Sequence, residues 1–148
     1  MTHIRRQFRD DLVTTVTGLG LTGTNVFTGR AHAIADASLP ALFVRTPSEE
    51  SALDNIGSDP AYQRNITAII GILAAGDENV GNNLDAIAVQ VENAIHADLT
   101  LGGVADFLML VSTETDPPAG DGDQIANAME LTFIVETRTA RSDPETKI

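Results

Sequence analysis

Apolar positions along the chain repeat with two periods, and the change from one to the other outlines the elements. Ile4, Phe8, Leu12 and Val16 stand four apart with Val13 beside them, which predicts an amphipathic helix over residues 2–17 that Gly18, Gly20 and Gly23 terminate. Short strands are predicted at residues 25–30 and 38–46, the second closed by Pro47, with Pro40 at its first residues or on an edge because proline cannot donate to a ladder. Residues 47–60 are rich in Ser, Glu, Asp, Asn and Gly and read as a long surface loop.

Residues 62–75 alternate Ile66, Ala68, Ile70 and Ile72 against Thr67, Ile69, Gly71 and Leu73, so both faces are mostly apolar. A strand of that kind is central or covered on both sides. The four-residue period returns at residues 84–98 with Leu84, Ile87, Ala88, Val91, Ala94 and Ile95, giving a helix capped by Asn82 or Asn83 and closed near His96. Beyond Leu99, Thr100, Leu101, Gly102 and Gly103 the period falls to two. Strands follow at residues 107–113 and 126–139, the latter turning Met129, Leu131, Phe133 and Val135 to one side with Ile134 as the outward exception. The two make a long hairpin across the acidic loop 114–124, and residues 141–148 read as a flexible tail.

Composition narrows the chemistry. The 148 residues suit one domain, over residues 1–140, and 43% apolar with 20% charged residues is ordinary for a folded chain. Aromatics are scarce at 4%, so Phe8, Phe27, Phe43, Phe107 and Phe133 are the large pieces expected in a core of Ile, Leu, Val and Ala. A net charge of −12 disfavours tight binding to a phosphate backbone, although an acidic surface can line a passage through which DNA slides. With no cysteine there is neither a disulfide nor a thiolate metal site, and cytosolic synthesis is the natural expectation. The first residues lack the apolar core of a signal peptide, and no run reaches transmembrane length.

Candidate catalytic chemistry is thin. The run from Gly18 through Gly20 to Gly23 spells a dinucleotide fingerprint but follows a helix where a strand is needed. His3, His32 and His96 have no partners at motif spacing, no serine sits in a nucleophile elbow, and Asp116, Asp121 and Asp123 miss the calcium-hand register because two prolines interrupt it. The expectation is no catalytic residue, cofactor or metal, and hence not an enzyme. Arg5, Arg6 and Arg9 on the outer side of the first helix form a cluster for a phosphate or a partner, against the plainer reading of a solvated face.

The order of these pieces carries a resemblance: the first helix, the Val26-Phe27 strand, Leu39-Pro40-Ala41-Leu42-Phe43-Val44, a long acidic loop, the apolar strand, the Leu84 helix, Asp98-Leu99-Thr100-Leu101-Gly102-Gly103, then strands around Leu110 to Glu114 and Leu131 to Val135. It resembles the small tail terminator, or tail completion, proteins of long-tailed bacteriophages over roughly residues 4–139. The resemblance implies an α+β fold, an antiparallel or mixed sheet of about five strands with two main helices packed on it, in the order α-β-β-β-α-β-β.

It also implies a homohexameric ring on the head-proximal end of the tail tube, in the neck region of a virion assembled in the host cytoplasm. Such a ring ends tube polymerisation and joins the head connector or stopper, with DNA only passing through its lumen and no membrane partner. On that view Ser48, Glu49, Glu50, Asp54 and Asp59 in one loop, and Asp116, Asp121 and Asp123 in the hairpin loop, contact axial partners, with Arg5, Arg6 and Arg9 as further interface candidates. The alternatives are a neck stopper or head completion protein and, from another class, a small-molecule binding module or enzyme of the same build.

Overall fold

A computed structural model of the chain describes residues 2–28, 39–75, 80–115 and 126–148. Its elements are α1 (Ile4–Val16), β1 (Val26–Thr28), β2 (Ala41–Leu53), β3 (Ala61–Ala75), α2 (Val80–His96), β4 (Phe107–Thr115), β5 (Ala126–Ala140) and β6 (Asp143–Lys147). The strands form one sheet in the order β1-β2-β3-β5-β4, with β6 pairing the far end of β5. β1 runs parallel to β2 and every other pairing is antiparallel, so the sheet is mixed and the class is α+β.

Both helices pack on one face of the sheet, as their periodicity requires. α1 buries Ile4, Phe8, Leu12 and Val16, and α2 buries Leu84, Ile87, Val91 and Ile95. They meet Ile66, Ala68, Ile70 and Ile72 of β3 and Met129, Leu131, Phe133 and Val135 of β5 in one continuous core. Alternation along a strand puts the odd positions from Gln63 to Leu73 of β3 and the even positions from Ala128 to Glu136 of β5 on the opposite face, where they are half-buried. Thus β3 is central, its apolar second face following from that place.

Four expectations need correction. β2 does not stop at Pro47: its pairing with β3 shifts register between Arg45 and Ser48, and the strand continues to Leu53. A bulge leaves a residue outside the ladder, so proline's missing N–H is tolerated there and Ser48, Glu49 and Glu50 are strand residues, not loop residues. Only residues 54–60 connect β2 to β3. The tail forms β6, tied on by the hydrogen bond from Ile148 N to Arg138 O and by a Lys147 to Asp106 ion pair of 2.8 Å; polar strands of five residues give no hydrophobic period to read.

The second helix starts at Val80, so Asn82 and Asn83 lie in its first turn and its cap falls outside the described residues. Of the five phenylalanines, Phe8, Phe43 and Phe133 are buried, whereas Phe27 at 37% and Phe107 at 47% exposure are not, because β1 and β4 are the sheet's edges.

Candidate interaction surface

After α2 the chain turns sharply onto the sheet edge. Leu101, Gly102 and Gly103 all have left-handed φ angles of 49°, 71° and 94°. The two glycines adopt these without penalty, but the buried Leu101 does not. Asp98 holds the turn, its carboxylate accepting from Gly102 N at 2.7 Å and Thr100 Oγ1 at 3.0 Å. Those bonds, the one from Gly102 first, keep its carboxyl below the usual aspartate range. The anchored turn delivers β4 to the outside of β5.

Only Leu108 of β4 is buried. Phe107 and Met109 are each 47% exposed, Val111 44% and Leu110 38%, so one strand concentrates four large apolar side chains at the surface. The seven residues between Asp106 and Glu114 carry no charge, in a chain whose net charge is −12. Beside them the C-terminal end of α2 leaves a groove of about 520 Å³ lined by Glu92, Ile95, His96, Leu99, Phe107, Leu110 and Phe133, among others. His96 thus ends the helix, as its position predicts, and borders this groove.

A second cluster lies under the N-terminus of α1. Arg64 is 8% exposed; its Nε donates to Thr139 Oγ1 at 2.8 Å and its Nη1 to Glu49 Oε2 at 3.2 Å, with the guanidinium 5.4 Å from the centre of the Tyr62 ring. Glu49 Oε1 is buried with no partner among the described residues. His3 caps the helix through Nδ1, which accepts from Arg5 N at 3.1 Å. Burial first, then the Arg5 and Arg64 charges, lower the pKa of His3, against a smaller raising effect of Glu49 and Glu145. The cluster is structural in form: Arg64 Nε and Nη1 and Glu49 Oε2 are each turned toward a partner inside the fold.

The sequence-predicted interface residues scatter. Arg5 is 3.8 Å from Glu49, Arg6 pairs with Asp10 at 3.6 Å one turn on, and Arg9 is half-buried on the same helix. Ser48 and Glu50 are exposed on β2, while Glu49 is turned inward onto Arg64. Asp54 pairs with Arg138, and Asp59 accepts from Ser142 N at 3.2 Å and Ser142 Oγ at 2.7 Å, so both acids brace the turn end of the sheet. Asp116, Asp121 and Asp123, like His32, lie outside the described residues. Sequence reasoning missed the β4 edge itself, although the uncharged run between Asp106 and Glu114 was its signal.

Among the described residues no three His, Asp or Glu side chains are grouped to hold a metal ion, and no helix is long and apolar enough to cross a membrane. No protein-family model and no curated protein matches the chain. Among solved structures it is similar to a chain of the virion of a native gene transfer agent particle, at 12% identity and a TM-score of 0.39, over 93% of this chain and 92% of that one. A superposition that loose carries no argument about function.

Proposed function

We propose that the chain is a non-catalytic structural subunit of a virion, and within that role a tail terminator: a ring on the head-proximal end of a tail tube that ends tube growth and forms the joint to the head connector. The observation that carries the reading is the uncharged, apolar edge strand β4, a surface of the kind that is covered in an assembly. The element order that resembles tail terminators supports it, and so does the acidic balance, which suits a passage that DNA crosses without adhering.

The test is to add the purified chain to polymerising tube protein of the same particle. Electron microscopy is expected to show shorter tubes with a ring at one end, and sedimentation a multiple of the 15.6 kDa subunit mass on those ends. Tubes of unchanged length, with a monomer whose melting temperature rises on adding a small molecule, would replace this reading with the binding-module one.

A further inference from the structure

The sheet ends in two edges that match in height and irregularity and run in opposite directions. β4 is outermost on one side. On the other, β1 pairs only with Leu42, Phe43 and Val44, so among the described residues the outer side of β2 is unpaired from Arg45 to Leu53. The ladders place Met109 beside Ile134, Ile134 beside Thr67 and Thr67 beside Ser48, which puts Met109 and Ser48 at one height on opposite edges. By the same route Phe107 is level with Glu50, and Ser112 with Arg45.

Both edge strands break register at that level, β4 between Leu110 and Ser112 and β2 between Arg45 and Ser48. Three antiparallel steps separate β4 from β2, so the two run in opposite directions. Two copies set side by side at equal height therefore present antiparallel edges. Pro47, which has no N–H to donate, then meets the interruption at Val111, where the ladder is already broken.

Charge identifies the occupant. Arg5 and Arg9 stand one turn apart on α1, and Arg5 lies against Glu49, which places a basic flank above the β2 edge. Glu92 lines the groove beside β4. The arginines and Glu92 are on the helix side of opposite edges, so a second copy brings the cations of one edge to the carboxylate of the other. Elsewhere two surfaces with this balance press acid on acid.

We infer that a second copy of the chain docks head to tail, laying its β2 edge along residues 107–112 of β4 so that the sheet continues across the joint and its Arg5 and Arg9 face Glu92. Main-chain hydrogen bonds supply the attraction and the exposed β4 side chains the buried area. The contact is heterologous, and repeated it closes a ring or runs on as a filament. This inference rests on the ring reading above and names the surfaces that make the ring.

The chain has no cysteine, so Met109→Cys and Ser48→Cys introduce the only thiols. Across an antiparallel joint their Cα atoms come within about 5 Å, inside disulfide range. Mild oxidation of the double variant is expected to convert most of the monomer band into a ladder of covalent multimers on a non-reducing gel, while either single variant stays monomeric. Two results overturn the inference: no ladder, or a dimer from Met109→Cys alone, which would mean symmetric β4 to β4 pairing. Sedimentation of the native chain, alone and on tube ends, separates the two levels. A ring without the ladder rejects these edges and keeps the ring, whereas a monomer in both settings rejects the proposed function as well.

Discussion

Replacing Arg64 by methionine isolates the buried charge beneath α1. The wild-type guanidinium is 8% exposed and serves Glu49 at 3.2 Å and Thr139 at 2.8 Å. Methionine keeps much of the volume and removes the charge. Glu49, 10% exposed at its side chain and with Oε1 already unpartnered among the described residues, is then left with Arg5 at 3.8 Å. Breaking one side of a buried ion pair typically costs about 3–5 kcal/mol, because the other charge keeps its desolvation penalty without its partner. Arg5 is half-exposed and distant enough to recover only a small part of that, so a loss of about 3 kcal/mol is expected.

Removing both charges, as Arg64→Met with Glu49→Leu, leaves no stranded ion, and the double variant should lie within roughly 1–2 kcal/mol of wild type. Urea unfolding followed by circular dichroism reads all four corners of the cycle. If Arg64→Met alone costs under about 1 kcal/mol, Glu49 is solvated and the argument from burial fails.

Other expectations follow from the same contacts. Phe8→Ala opens the centre of the α1 stripe, where the side chain is 0% exposed, and should cost about 3–5 kcal/mol in the same unfolding assay. His3 has its pKa lowered in the fold, so its contribution is fully present above the ordinary value of 6.5 and is lost as pH falls below it; His3→Asn, which keeps a cap acceptor, should flatten the fall in stability between pH 7 and pH 5. Asp98→Ala removes the acceptor that holds the left-handed turn, and the Gly102 amide should exchange faster with solvent while the α1 amides are unchanged. Raising salt shortens the screening length from about 10 Å at 0.1 M to about 3 Å at 1 M. The −12 repulsion between copies then weakens, and sedimentation should show more multimer; dissociation instead would mean that the arginine to glutamate contacts dominate.

Periodicity made the core legible. Four residues of α1, four of α2 and the alternating faces of β3 and β5 are buried as their spacing requires, because burial follows the side-chain period whatever the partner. Two strands escaped for opposite reasons. The second half of β2 is polar since its edge is wet, and Pro47 masks its continuity through a bulge. β6 is polar because it is short and peripheral. In both, backbone pairing with a strand already in place supplies what side-chain burial does not, and pairing leaves no trace in composition.

The interaction surface was harder to read because the cue has two meanings. Phe107, Leu108, Met109, Leu110 and Val111 are a run that fits a fully buried strand as well as an edge. Which it becomes depends on strand order: β5, made later in the chain, inserts between β3 and β4 and takes the central place. Three of the acids that drew attention instead are answered within the fold, Glu49 by Arg64, Asp54 by Arg138 and Asp59 by Ser142, since a carboxylate near a cation or an amide is satisfied wherever it lies. In a chain this acidic, carboxylates are the background. The informative feature is therefore the long exposed strand at residues 107–113 that lacks them, where an apolar edge has neither the lysine nor the proline that elsewhere keeps sheets from joining.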